Sequence, residues 1–348
     1  MPTTPHASFR RSPSKESLSS GTRTFFHRHS SVVTRPRYAV IVIDLHTHSN
    51  FSDGSDSPTE LAARAHRLGL RAIALTDHDT TSSHDEMAAG CDHYGLELVP
   101  GVEISLLDAI FPLQGDEGEA RPRGVHVLAY FLPLDPEHPV QRLLARLRRD
   151  RAERNARLAT RLQELGFERV SLESVTSRAA NAEGVGRPHF AAAMFELHPE
   201  ILGERTPESW SRVFVDWLGS SGRAYIPKTT LTLETFMDEA KGSSTVFSIA
   251  HPLLNYLPGY SATSIEEHMP VVLASLRERG VHGVEAYYGG TTKATRALMV
   301  KLTRDAGLIP TGGSDYHGLF KEDVSLGVGR SGDLHVPDEI LDELRAAR

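Results

Sequence analysis

From Tyr38 onward, short apolar runs alternate with stretches whose apolar residues recur at the three-to-four spacing of a helix. The run "YAVIVIDL" predicts a strand over 39–45. "SPTE", Ser57 to Glu60, reads as a capping box with proline in the first helical position, opening a helix to about Leu68. The same reading predicts strands over 71–77, 96–105 and 124–131, a helix near 82–94, and a long loop over 106–123 ("LLDAIFPLQGDEGEARPRG"). The alternation resumes with strand 244–250, a helix near 265–279, strand 282–287, a helix near 292–306 and strand 308–313. Seven strands alternating with helices predict an α/β fold with a parallel sheet that closes like a barrel.

Between the two strand-rich parts the texture changes. Residues 136–228 open with a long helical run, "VQRLLARLRRDRAERNARLATRLQELGF", and continue through "VGRPHFAAAMFE" and "ESWSRVFVDWLGSSGRAYIPK". They read as a small helical subdomain inserted between barrel parts 38–135 and 229–348. On the first helix Leu144, Leu147, Leu158, Leu162 and Leu165 follow one face, and Arg151 and Arg154 fall in the same stripe. Two arginines in an apolar stripe want an anion, or else they snorkel or pair with a carboxylate.

Composition narrows the picture without redrawing it. At 348 residues, 39% hydrophobic and 24% charged, the chain is ordinary globular material with room for a large core. It has no apolar run long enough to span a membrane and no secretory signal, so a cytoplasmic protein with no membrane partner is expected. The single cysteine, Cys91, leaves any metal site to nitrogen and oxygen. Residues 1–37 carry seven Lys/Arg against Glu16, a net of +6 that leaves −13 for the rest of the −7 chain. That segment reads as a disordered basic tail.

The chemistry gathers where strands end. His46, His48 and Asp53 follow the first strand, Asp77 and His78 the second, and Glu103 sits in "PGVEIS". His126 lies in the fourth strand, His251 in "AHP" after the fifth, and Asp315 and His317 in "GGSDYHG" after the seventh. In a barrel of parallel strands that end is where catalytic residues collect. Imidazoles at i and i+2 of an extended chain lie on one side and can reach one ion. Nitrogen and carboxylate donors without thiolates suit Zn, Mn or Fe, and Glu103 could bridge two cations as in two-metal hydrolysis. The donors are too many for one ion and fit two or three. An isolated HxH is usually coincidence; the joint pattern is not. His66, His84, His93 and His282 lack such company and read as surface or packing residues, and Asp77 as a carboxylate that orients an imidazole.

Taken in order, "IDLHTHSNFSDG", "ALTDHDT", "PGVEIS", "HVLAYF", "AHP" and "GGSDYHG" resemble the PHP (polymerase and histidinol phosphatase) domain over residues 41 to 318. The resemblance implies a distorted (β/α)7 barrel and a trinuclear centre. His46, His48, Glu103 and Asp315 would hold the first ion, Glu103 bridging to a second held by His126 and His251, and Asp53, His78 and His317 the third. Asp53 stands where some members have histidine, which favours manganese there, with zinc or iron as alternatives. The insertion, with "RDRAERNARLATRLQELG", "GRPHFA" and "GRAYIPK", is similar to the subgroup acting on nucleotides: 3′,5′-nucleoside bisphosphate phosphatases and enzymes that trim short RNA from the 5′ end. The expected reaction is in-line attack on phosphorus by a metal-bridging hydroxide, with a cation stabilising the phosphoryl oxygens. Arg187, Lys228, Arg151, Arg154 and His189 are the candidate substrate contacts, and Glu103 and Arg187 the catalytic candidates. A nucleotide or short oligonucleotide is the expected partner, with no stable protein partner.

Two rival readings come from other classes. An amidohydrolase-type deaminase or amidase also starts with HxH and ends with a late aspartate, but does not require Asp53, His78 and His317 as a third set. A noncatalytic nucleic-acid-binding protein on the same scaffold predicts salt-sensitive RNA binding that survives Glu103→Gln.

Overall fold

The computed structural model describes residues 43–114, 120–179, 184–227 and 231–348. The basic tail, the start of the first expected strand and Lys228 lie outside them. Seven strands pair in sequence order: β1 Ile43–Asp44, β2 Ala72–Leu75, β3 Glu97–Gln114, β4 Ala120–Tyr130, β5 Val246–Ile249, β6 Gly283–Tyr288 and β7 Ile309–Gly313. First and last strands meet just past β1, where Leu45 N donates to Gly312 O (3.3 Å), Asp315 N to His46 O (2.9 Å) and His48 N to Tyr316 O (3.0 Å). The result is the distorted (β/α)7 barrel.

One strand breaks the expected all-parallel order. β4 runs antiparallel to both β3 and β5, while the other pairs are parallel. The expected loop over 106–123 is instead the outer part of a β3–β4 hairpin, with only residues 115–119 between the two strands. So short a link forces antiparallel pairing, since a parallel neighbour needs a crossover of about a dozen residues or more. The register shifts between Asp108 and Leu113, where Asp108 accepts from Ile110 N (2.9 Å). Prolines and acidic residues in that stretch disguise a bent ribbon as a loop.

Helices cover the strands where local sequence starts and stops them. Helix α1 (Pro58–Leu68) has the expected capping box between Ser57 and Glu60 and ends on Gly69 at φ 79°. It packs against α2 (His84–Tyr94), where a Cβ on Gly90 would come within 2.9 Å of Ala62 Cβ.

Helix α3 (Pro139–Glu164) leads into α4 (Leu172–Thr176), α5 (Arg187–Leu197), α6 (Pro199–Leu202), α7 (Pro207–Val213), a π-helical turn over Phe214–Leu218, and α8 (Leu233–Glu239). Helices α9 (Pro252–Tyr256), α10 (Ala262–Glu278), α11 (Lys293–Asp305) and α12 (Glu339–Ala346) complete the chain. No helix among the described residues is long and apolar enough to cross a membrane.

Alternation along β3 and β4 sends Val102, Ile104, Val125 and Val127 into a core shared with Leu144, Leu147, Phe236 and Leu273. The opposite face carries Glu103 and His126 toward one end and Leu128 and Tyr130 toward a cluster closed by Ile340 and Leu344 at the other. The far half of α3 belongs elsewhere: Leu158 and Leu162 join Phe167, Phe190, Met194 and Val213 in a separate cluster. One helix therefore runs from the barrel core into a second apolar centre, and Arg151 and Arg154 lie between.

Candidate metal centre

The nine residues singled out at strand ends converge on one rim. His46, His48, Glu103, Asp315 and His317 are buried there, and Asp53, His78, His126 and His251 are half-buried. Because β4 is antiparallel, His126 reaches the rim from within the strand rather than from its C-terminal end, paired with Ser105 on β3. The backbone bends hard to present some of these groups. His251 (φ 30°), Asp315 (φ 59°) and the neighbouring Asp79 (φ 57°) adopt left-handed conformations costly for non-glycine residues, the kind of strain that folds retain at functional sites. Each bend is held by its amide: His251 N donates to Glu285 Oε2 (2.8 Å), Asp315 N to His46 O (2.9 Å) and Asp79 N to Glu103 O (3.0 Å). A Cβ on Gly313 would stand 2.4 Å from His46, so only glycine lets β7 approach so closely.

Glu103 is the hub. Its Oε2 lies 3.3 Å from His46 Nε2, 3.0 Å from His48 Nε2 and 3.3 Å from His78 Nδ1, while Oε1 lies 2.9 Å from His126 Nδ1 and 3.0 Å from His251 Nε2. Asp315 Oδ1 lies 3.6 Å from His46 Nε2 and 3.7 Å from His48 Nε2, and these two nitrogens are 3.1 Å apart. Asp53 faces His317 (3.3 Å), His78 (3.6 Å) and His48 (3.6 Å).

Charge and burial polarise the cluster. Burial alone would raise the carboxyls of Glu103, Asp53 and Asp315, yet the cations around them, imidazoles and for Asp315 also Lys321, hold all three well below their usual range. Burial depresses His48 to about 4, with help from the neighbouring His317, and also lowers His78. Burial opposes protonation of His46 and His251 as well, but the carboxylates of Glu103, Asp315 and Glu285 outweigh it and raise both.

Residues 44–202 match the family described as PHP domain. The chain is 28% identical to a 5′-3′ exoribonuclease of Haemophilus influenzae, over 79% of its own length and 89% of the relative's. It is 27% identical to a 3′,5′-nucleoside bisphosphate phosphatase of Chromobacterium violaceum, covering 79% and 87% respectively. A solved structure from Bifidobacterium adolescentis, provisionally named a metal-dependent phosphoesterase, superposes with a TM-score of 0.67 at 27% identity, over 88% of this chain and 96% of that one. The chain carries a PHP domain and is a hydrolase of the phosphoesterase type.

The PHP rim has the chemistry of a cation site. Donors around one ion at 2.0–2.1 Å in a tetrahedron stand about 3.3 Å apart, and the spacings among His46, His48, Glu103 and Asp315 given above bracket that value. Three groups bring their donor atoms within 4.8 Å of one another: His46, His48 and Glu103; His78, Glu103 and His126; and His48, Asp53, His78 and His317. His48 and His78 each belong to two of them. Buried Asp53 Oδ1, His78 Nδ1 and His251 Nδ1 find no hydrogen-bond partner, the under-satisfaction expected of groups that await a cation.

Supporting groups escaped the sequence reading. Glu285 on β6 holds His46 Nδ1 (3.0 Å) and the His251 amide together, and the only signal for it was one acid in the apolar run "HGVEAY". Buried Asp44 accepts from Ser314 N (2.9 Å) and Gly327 N (2.8 Å), stitching the barrel seam; burial outweighs these bonds and raises its carboxyl. Lys321 Nζ (2.6 Å) and Tyr288 Oη (3.0 Å) both donate to Asp315 Oδ2, leaving Oδ1 for the imidazoles. Asp77 touches no imidazole directly. It accepts from the hydroxyls of Ser49, Ser52 and Ser83, and Ser52 Oγ in turn lies 3.3 Å from His48 Nδ1. His84 is a buried packing residue whose Nε2 accepts from Gly101 N (3.1 Å).

The cations separate. Arg151 pairs with Asp79 and donates to Ser105 Oγ (3.3 Å). Among the described residues Arg154 makes no ion pair, and Arg187 reaches only the carbonyl of Leu218 (3.5 Å). Burial lowers Arg154 to about 10, aided by the charges of Arg151 and Arg187. Arg151, Arg154 and Arg187 line a small cavity of about 60 Å³ with Asp53, His78 and His126. His189 Nδ1 accepts from Gly186 N (3.2 Å) at the start of its own helix.

Proposed function

We propose that this chain is a divalent-metal-dependent hydrolase of nucleotides that carry a 5′-phosphate and a second phosphorus on the 3′ oxygen. Two substrates share that chemistry: a nucleoside 3′,5′-bisphosphate, losing its 3′-phosphate, and a short 5′-phosphorylated RNA, trimmed at its first bond. The observation that carries the reading is the adjacency of two features: a carboxylate, Glu103, whose two oxygens face different sets of imidazoles, and the arginines 154 and 187, which form no ion pair with a carboxylate among the described residues. The names of the relatives from Haemophilus influenzae and Chromobacterium violaceum support the same substrate class.

In this reading His46, His48, Glu103 and Asp315 would hold one ion, Glu103 with His126 and His251 a second, and Asp53, His78 and His317 a third, with manganese favoured by the oxygen of Asp53. Bound ions supply Lewis acidity toward phosphoryl oxygens and a water acidic enough to attack near neutral pH. The side chains do the rest. Lys321 and Tyr288 fix Asp315, and Glu285 fixes His46 in the tautomer that leaves Nε2 free to bind. Arg154 and Arg187 take the second phosphate, which orients the scissile one, and Arg187 also opposes the charge that develops on its oxygens.

The test is a panel with manganese-loaded protein: adenosine 3′,5′-bisphosphate, AMP and a 5′-phosphorylated trinucleotide. A clear preference for the first or the third is expected. Equal, feeble hydrolysis of all three overturns the substrate class, and ammonia release without phosphate chemistry would point to an amidohydrolase.

A further inference from the structure

The metal rim opens into a cleft of about 530 Å³, within the range of about 300–1,000 Å³ typical of small-molecule sites. Part of its lining is polar and charged: Glu103, His126, His251, Asp315, Arg187 and Lys321. The same cleft is also lined by aromatic rings, those of Trp210, Phe214 and Phe320. These rings come from two distant segments: Trp210 on α7 and Phe214 on the π-helical turn that follows it, and Phe320 on the short turn after His317. Trp210 joins them, near-parallel to Phe320 (centroids 6.3 Å, 23°) and edge-on to Phe214 (5.7 Å), with buried Phe195 stacked beside it (6.1 Å). The guanidinium of exposed Arg205 lies 4.2 Å from the Trp210 centroid and 6.0 Å from that of Phe320.

All three cleft rings are only half-buried, and the lip beside them exposes Val215 and Leu319. A wall needed only for packing would bury these rings. A π-helical turn is itself uncommon and concentrates at functional sites. A ligand matching both sets of groups has an anionic end and a flat, π-rich end. Stacking on aromatic side chains favours binding and tolerates any base, because every base has a π-face.

Resting on the nucleotide reading above, we infer that Trp210, Phe214 and Phe320 form a stacking surface for the nucleobase of the substrate held at the rim. Phe214 and Phe320 offer the contact surface, and Trp210 holds them in place and reports on it. The wall sets affinity for nucleotides over base-free sugar phosphates without selecting among bases.

Trp210 and Trp217 are the two tryptophans of the chain, so W217F leaves Trp210 as the sole indole emitter in the full-length, metal-loaded protein. AMP is expected to quench its fluorescence saturably, and ribose 5-phosphate to displace AMP without quenching. In parallel, F320A and F320L are expected to raise KM for adenosine 3′,5′-bisphosphate roughly tenfold with kcat within about threefold of the parent, the leucine failing to rescue because it lacks a π-face. Hydrolysis of the bisphosphate with no AMP quenching, or full rescue by leucine, overturns the stacking surface and leaves the nucleotide reading intact. Quenching by AMP with no hydrolysis of any nucleotide supports the surface and overturns the reaction instead.

Discussion

The two halves of α3 touch different proteins in miniature. Its first half buries Leu144 and Leu147 against the strands that carry Glu103 and His126; its second buries Leu158 and Leu162 among helices that bring Arg187, Trp210 and Phe214. At the barrel end the polar groups are densely matched: carboxylates and imidazoles at 2.9–3.7 Å, backed by Glu285, Lys321 and Tyr288. At the helical end Arg154 and Arg187 form no ion pair among the described residues, and Trp210 and Phe214 are half-covered. The contrast separates two tasks. Donors that hold small ions need fixed spacing, whereas groups that recognise a substrate must keep some of their binding capacity free until it arrives.

The sharpest way to break this division is at its hub. Glu103→Gln is expected to lower kcat/KM by about 10³-fold or more and to strip bound metal, read by elemental analysis alongside kinetics. Near-normal metal content and turnover would dissolve the distinction between the two ends. Arg187→Ala combined with Arg154→Ala should raise KM for adenosine 3′,5′-bisphosphate by about 100-fold or more, at about 1.5–3 kcal/mol for each charged hydrogen bond lost. On 3′-AMP, which has no 5′-phosphate to lose, Arg154→Ala alone should differ little from the parent. An equal penalty on both substrates would move Arg154 from recognition to the reaction itself. Glu285→Gln should weaken metal binding by about tenfold in a chelator titration while nucleotide KM at saturating metal stays unchanged.

The smallest effect is a matter of protons. In the metal-free protein the facing carboxylates raise His46 and His251, which favours their protonated forms, whereas burial lowers His48 and His78 and the surrounding cations lower the three carboxylates. Ligation requires neutral imidazole, so metal uptake at pH 7 should release about one to two protons, and apparent affinity should climb as pH rises. Calorimetry in two buffers of different ionisation enthalpy counts them; zero release would place the raised imidazoles outside the binding set.

Much of the rim could be read from the chain because the donors lie in or just after apolar runs, and a barrel leaves such positions few places to meet. Direction was less legible. Nothing in "LLDAIFPLQGDEGEARPRG" distinguishes a loop from a ribbon bent at Asp108, so the reversal of β4 appears only once the strands pair. Long-range partners were hidden for the same reason. The stripe containing Arg151 and Arg154 treats them alike, yet Asp79, held in a left-handed turn, neutralises one and not the other. Lys321 carries no periodic signal at all, and its bond to Asp315 depends on the turn that follows His317.

The barrel seam sets a condition on when this protein can act. Asp44, near the first strand, is gripped by amides of Ser314 and Gly327, and His46 packs against Gly313, so the centre draws on both extremes of the described chain. A polypeptide interrupted before its last strand would lack Asp315, His317 and the anchors of Asp44 together. An incomplete translation product should therefore be left without the donor set that a metal centre would need.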